Sequence, residues 1–236
     1  MNKDSFCFKK FSVHQERCAM KVGTDGCLLG AWAPLDGGRR VLDIGTGTGL
    51  IAMMCAQRLE GRDFHIDALD IEEGAVEQAR ENVEACPWNG RISVTCADVL
   101  EFEAELPYDL VVCNPPFFVD SLKCPDGKRS VARHADSLPF PLLLNKVYGL
   151  LADQGRFCVV LPWDRTLDFI QTAIENRLYL QQRVNIKTVE RKDPKRVLLS
   201  FGKQIAPVEE KVLVLQSGGA YTQEAKILLR DFYLYL

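Results

Sequence analysis

The stretch Val41-Leu42-Asp43-Ile44-Gly45-Thr46-Gly47-Thr48-Gly49-Leu50-Ile51-Ala52, or VLDIGTGTGLIA, joins a short run of β-formers to a segment of helical composition. Three glycines at alternate positions occupy the turn between them. Without Cβ atoms, such a turn lets the backbone approach a ligand at the carboxyl end of the strand, where open α/β sheets bind. A strand over 39–45 and a helix over 50–59 set the period for the rest of the chain.

Outward from that turn, strand and helix patterns alternate. Residues 64–70 read as a strand, and 72–85 as an amphipathic helix with Ala75, Val76, Ala79 and Val83 inward. Residues 91–98 and 108–114 read as strands, 140–155 as a helix ending at Gly155, 156–162 as a strand and 165–177 as a helix. Residues 179–189 and 195–203, joined by Glu-Arg-Lys-Asp-Pro, read as an antiparallel hairpin. A strand over 210–216 and a short helix over 223–233 close the pattern. Such alternation predicts an α/β fold, a mostly parallel sheet with helices on both faces. The expected organisation is one domain over 1–236. Residues 1–38 form an extension over the site, 39–205 the core, and 206–236 a closing strand and helix.

The spacing G-x-G-x-G also excludes a class. A dinucleotide fingerprint needs its third glycine at position 50, which is Leu50, so a nicotinamide dehydrogenase is disfavoured. Asp43 precedes the loop by two residues. Asp70 ends the second strand, where a carboxylate can accept from both ribose hydroxyls of a nucleoside. Asp98 ends the third, where a carboxylate can accept from an adenine amino group or serve as a cap or turn. The fourth ends in Cys113-Asn114-Pro115-Pro116-Phe117-Phe118. Two prolines stop a sheet abruptly and stiffen what lies beside them.

With 236 residues, 47% hydrophobic and 26% charged, the chain is long enough for a full core. No apolar run approaches the roughly 20 residues of a membrane span. The opening MNKDSFCFKKF is too polar for a signal peptide, and nine scattered cysteines without a CxxC pair suit reduced thiols, so a cytoplasmic location is expected. No metal site is expected. The net charge of −3 hides a division. Residues 50–110 carry 14 acids against 4 bases, whereas 1–30, 119–134 and 183–203 together sum to +9. A basic face exists if those three segments converge.

The motifs VLDIGTGTG, Asp70, Asp98 and NPPF, in this order, resemble the Rossmann-like class I methyltransferases that use S-adenosylmethionine. The resemblance implies a seven-stranded sheet whose last two strands are a hairpin. It implies cofactor contacts from Lys21, Thr24, Asp25, Asp43, Gly45, Thr46, Gly47, Gly49, Asp70, Ile71, Asp98, Val99 and Asn114. Asn-Pro-Pro-aromatic is similar to the signature of amino-group methyltransferases, which makes Asn114, Pro115, Pro116 and Phe117 the catalytic candidates. The chemistry explains the residue types. A conjugated amino nitrogen is planar and a poor nucleophile. Acceptors for both its N–H groups, the Asn114 side-chain oxygen and the Pro115 carbonyl, favour a tetrahedral nitrogen with its lone pair free. An aromatic at 117 can stack on the base, worth roughly 1–3 kcal/mol.

Residues 8–33, FKKFSVHQERCAMKVGTDGCLLGAWA, resemble the opening of the bacterial valine-tRNA adenine-N6 methyltransferases, which modify the adenine 3′ of the anticodon. That resemblance implies that Lys21, Gly23, Thr24 and Asp25 fold over the cofactor, with Gln15 near them. For His14 alone, a non-catalytic surface or packing role is the better reading. The expected partner is the anticodon arm of a valine tRNA. Its phosphates would meet Lys9, Lys10, Arg17, Lys123, Lys128, Arg129, Arg133, Lys195 and Arg196. Three alternatives remain open: a glutamine-amide methyltransferase acting on a release factor, a guanine-N2 rRNA methyltransferase, and a non-catalytic nucleotide- or RNA-binding module. The first would call for an N-terminal helical bundle, the second for a longer N-terminal half. The third would not need the nitrogen acceptors.

Overall fold

The computed structural model describes residues 4–18, 20–35, 37–115 and 138–236. Strands β1 (Ser5–Cys7) and β2 (Ser12–His14) pair antiparallel, and helix α1 spans Thr24–Trp32. The alternating body comprises β3 (Arg40–Ile44), α2 (Leu50–Leu59), β4 (His65–Asp70), α3 (Glu73–Glu84), β5 (Ile92–Cys96) and β6 (Tyr108–Cys113). After the next described residues come α4 (Phe140–Leu150), β7 (Leu151–Pro162), α5 (Thr166–Glu175), β8 (Tyr179–Val189) and β9 (Arg196–Gly202). The chain closes with β10 (Glu209–Ser217), β11 (Ala220–Tyr221) and α6 (Gln223–Leu229). Among the described residues no helix is long and apolar enough to cross a membrane.

The main sheet runs β11-β10-β8-β9-β7-β6-β3-β4-β5. From β7 to β5 the strands are parallel, and β9 lies antiparallel between β7 and β8, as the hairpin reading required. Among the described residues the sheet has nine strands rather than seven. β10 adds parallel to β8 at the edge, and β11 folds back on its last residues. Burial explains the central strands, which are mostly apolar because helices cover both faces, with Asp43 of β3 the buried exception. One core lies on the α1–α2 side, around Leu28, Met53, Met54 and Ile66, and the other on the α4–α5 side, around Leu144, Phe157, Phe169 and Phe201.

Two local features depart from the pattern. The fourth helix ends at Leu150 rather than at Gly155, because Leu151 already pairs with Tyr108 and a bulge carries the chain to Arg156 opposite Leu110. Gly155 serves that bulge: a Cβ there would lie 2.7 Å from the Tyr108 carbonyl oxygen. The N-terminal extension is also structured. Phe8 bridges to Tyr233 and stacks on Phe11 at 4.7 Å, which joins the beginning of the chain to the segment after α6. Asn82 of α3, almost fully buried, accepts from the His14 N–H and donates to the His14 and Thr48 carbonyls. That one amide fastens the arm to the glycine turn.

The sheet order places β4 and β5 on one side of β3, and β6 and β7 on the other. The order in which strands are added therefore reverses beside β3, and the crevice of such a sheet opens at the carboxyl ends of β3 and β6.

Candidate active site

At the carboxyl end of β3, Gly45, Gly47 and Gly49 have φ of +68°, +56° and +80°, the left-handed region that other residues enter only with strain. Cβ atoms at Gly45 and Gly47 would meet nothing within 4 Å, so the turn borders open space a ligand can fill. At Gly49 a Cβ would touch Ala79, because this glycine begins α2 against α3.

Asp43 braces the turn from beneath. Fully buried, its Oδ2 accepts from the Thr46 hydroxyl at 2.7 Å and the Ala52 N–H at 3.1 Å, while Oδ1 accepts no hydrogen bond among the described residues. Burial pushes its carboxyl up to about 7, against the pull of those two donors. Burial likewise raises the Cys113 thiol, with the charges of Asp43 and Asp70 adding to it.

Asp70 sits at the end of β4. Its Oδ2 accepts from the Gly47 N–H at 2.8 Å and its Oδ1 from the Glu72 N–H at 3.0 Å. Each oxygen keeps a lone pair, so the carboxylate both ties the glycine turn to β4 and remains able to take a pair of hydroxyls. Ile71 beside it is 67% exposed, an apolar face next to the acid and suited to a flat base. Asp98 lies just beyond β5; its Oδ1 accepts from the Leu100 N–H at 2.9 Å, and its carbonyl takes the Glu101 and Phe102 N–H groups. Val99 turns inward to the core, so its side chain supports the rim.

Asn114 comes directly after β6. Its Oδ1 is buried and accepts no hydrogen bond among the described residues, and Pro115 is buried as well. A buried amide oxygen without a donor is costly to keep, roughly 1–3 kcal/mol, unless a ligand supplies the donor. Helix α1 walls this corner: a Cβ on Gly26 would lie 3.2 Å from Leu50 Cδ2 and 3.9 Å from Asn114 Nδ2. At Gly30 a Cβ would meet Met54 Sδ at 2.8 Å, so α1 rides close on α2. Arg58 Nη1 caps the helix by donating to the carbonyls of Gly30 and Ala33.

The other anticipated residues divide. Thr24 and Asp25 open α1 beside Asn114, and Asp25 Oδ2 accepts from Arg196 Nε at 2.7 Å. Lys21 is exposed, 4.0 Å from Asp4, and buried Gln15 accepts from the Val22 N–H. Arg17 pairs with Glu81 at 2.8 Å, and Glu77 lies 3.7 Å from it, on α3. Lys10 pairs with Glu60 at the C-terminal end of α2, and Lys9 donates to the Arg230 carbonyl. These two lie at the end of the sheet away from the glycine turn. Lys195 is exposed in the β8–β9 turn, on the same rim as Asn114, next to exposed Arg191 and Lys192. Pro116, Phe117, Lys123, Lys128, Arg129 and Arg133 lie outside the described residues. The roles of Gly26, Arg58 and Asn82 had no signal in the sequence, because each depends on a partner distant along the chain.

The arrangement suits a nucleoside-bearing cofactor. An open glycine turn, a carboxylate with a spare lone pair on each oxygen, an exposed isoleucine and a buried amide oxygen with no donor among the described residues share one rim. Comparison with known proteins gives the same fold. A predicted O-methyltransferase from Agrobacterium tumefaciens superposes with a TM-score of 0.68 at 21% identity, over 88% of this chain and 96% of that one. A glycopeptide N-methyltransferase solved with S-adenosyl-L-methionine superposes at 0.56 and 11% identity, over 78% of this chain and all of that one. The family model "Methyltransferase small domain" matches residues 25–136. The tRNA1(Val) (adenine(37)-N6)-methyltransferase of Bacteroides thetaiotaomicron is 47% identical over 98% of each chain, and that of Enterobacter sp. (strain 638) 41% identical over 100% of this chain and 97% of its own. At such identity across nearly its whole length, the chain belongs to the tRNA1(Val) (adenine(37)-N6)-methyltransferase family.

Proposed function

We propose that the protein transfers a methyl group to N6 of adenine 37, beside the anticodon, in valine tRNA, with S-adenosylmethionine as donor. The observation that carries this reading is the buried, unpartnered Asn114 Oδ1 at the end of β6, in a chain whose relatives carry that activity in their names. Asp70 would hold the cofactor's ribose, Ile71 and Asp98 its adenine, and the turn at Gly45–Gly47 its amino-acid end. Bound there, the cofactor supplies an electrophilic methyl group on a sulfonium. Asn114 Oδ1 and the Pro115 carbonyl accept the two N–H groups of the target amine, drawing its lone pair out of the ring and toward that methyl. No general base on the protein is required before transfer, since the nitrogen becomes acidic as it gains the methyl and then releases its proton to water.

The β8–β9 turn supports RNA as substrate. Arg191, Lys192 and Lys195 project from the rim that bears Asn114, where phosphates flanking a flipped base would pass. The test is methylation of unfractionated tRNA from a strain lacking this gene, with digestion and mass spectrometry of the product. N6-methyladenosine confined to the valine anticodon fragment is expected. N2-methylguanosine, or label spread over many isoacceptors, would defeat the reading.

A further inference from the structure

Asp25 and Arg196 lie 171 residues apart in sequence yet meet at 2.7 Å, with side chains 28% and 38% exposed. Each sits where it can act on the site. Asp25 is in the first turn of α1, where a carboxylate also complements the helix dipole. The next residue, Gly26, brings α1 against Leu50 and Asn114. Arg196 opens β9 opposite Pro162, and its Nη1 donates to the Lys195 carbonyl at 3.0 Å. That carbonyl also accepts the Trp163 N–H at the end of β7, the strand beside β6.

We propose that Asp25 and Arg196 form a positioning latch, which clamps the first turn of α1 onto the β7–β9 rim and so fixes the wall beside Asn114. The pair thereby links two segments of opposite character, the N-terminal helix over the cofactor turn and the basic turn facing RNA. Neither side chain is then a ligand contact in its own right. Asp25 acts through α1, and Arg196 through Asp25. The inference rests on Asn114 as the nitrogen holder.

A double-mutant cycle on the full chain tests it, with S-adenosylmethionine and a valine tRNA transcript and with Asp25→Asn, Arg196→Gln and the double variant. Each single change should lower kcat on the order of 10- to 100-fold, the scale of a misplacement of about 1 Å. The tRNA KM and the calorimetric cofactor Kd should stay near wild type. The double variant should be no slower than the worse single one, the non-additivity of two groups acting as one. Arg196→Lys, which keeps a cation beside Asp25, should retain most of kcat. Effects that multiply, or that appear as a tRNA KM change at 196 and a cofactor Kd change at 25, would assign the two side chains to separate ligands and overturn the latch. So would unchanged kcat in both single variants, or a loss that vanishes once rates are normalised to folded protein. Full turnover in Asn114→Ala would instead defeat the nitrogen-holder reading, because the cycle measures the coupling of 25 and 196 without reference to Asn114.

Discussion

Replacing Asn114 by alanine separates the cost of the site from its use. Among the described residues no donor reaches the buried Asn114 oxygen, a penalty of roughly 1–3 kcal/mol that truncation removes. Against that stands the lost packing of a small, partly exposed amide, and no hydrogen bond is broken. Alanine should therefore leave the melting temperature unchanged or raise it by a few degrees, since about 1 kcal/mol moves a chain of this size by roughly 2–4 °C. Turnover should move the other way. In the proposed role the acceptor gains its value as the target nitrogen becomes tetrahedral, so its loss should cost kcat about 10²–10³-fold, as loss of one oxyanion-hole donor does elsewhere. Calorimetric melts, with single-turnover methyl transfer on a valine tRNA transcript, measure both. A lower melting temperature with near-normal turnover would mean that Asn114 is a structural turn residue, and the reasoning would fail.

Asp70→Ala should weaken S-adenosylmethionine binding by at least tenfold in titration calorimetry, since it removes the proposed ribose acceptor and the brace on Gly47; equal affinity would refute the ribose assignment. Asp43 should make stability depend on pH. Its carboxyl is raised from 3.8 to about 7, so its contribution is fully present below the unfolded value and is lost as pH rises through 7. At 1.4 kcal/mol per pH unit, wild type should lose up to roughly 4 kcal/mol relative to Asp43→Asn between pH 4 and pH 7. A constant gap between their melts over that range would contradict this. Charge reversal at Lys192 and Lys195 should weaken tRNA binding and reduce the slope of log K against log salt by roughly 0.7–0.9 for each lost phosphate contact, with cofactor affinity unchanged. A tRNA affinity insensitive to both would remove the β8–β9 turn from the interface.

The legible part of the candidate site is the part encoded locally. Asp43, the glycine turn, Asp70, Asp98 and Asn114 sit at successive ends of parallel strands, so a local reading of strands placed them all on one rim. The N-terminal helix escaped that reading. Six residues of α1, Gly26 through Ala31, are buried in sequence, which leaves no apolar stripe to find. Gly155 misled because a glycine after an apolar run usually ends a helix, whereas here it accommodates a bulge against Tyr108. The basic residues were legible as charge but not as position. Lys10 and Arg17 are matched by Glu60, Glu77 and Glu81 from distant helices, and Arg196 by Asp25. Only the fold could pair them.

The most direct measurement is single-turnover methylation of two unmodified valine tRNA transcripts, identical except for adenine or guanine at position 37, with nucleoside analysis of each product. Adenine presents a 6-amino group with two N–H donors, where guanine presents a 6-oxo group. One N6-methyladenosine per adenine-37 transcript and none from the guanine-37 transcript is the predicted result. Equal methylation of the two, or product found as N2-methylguanosine, would contradict the assignment of Asn114 and Pro115 to the 6-amino group of that base.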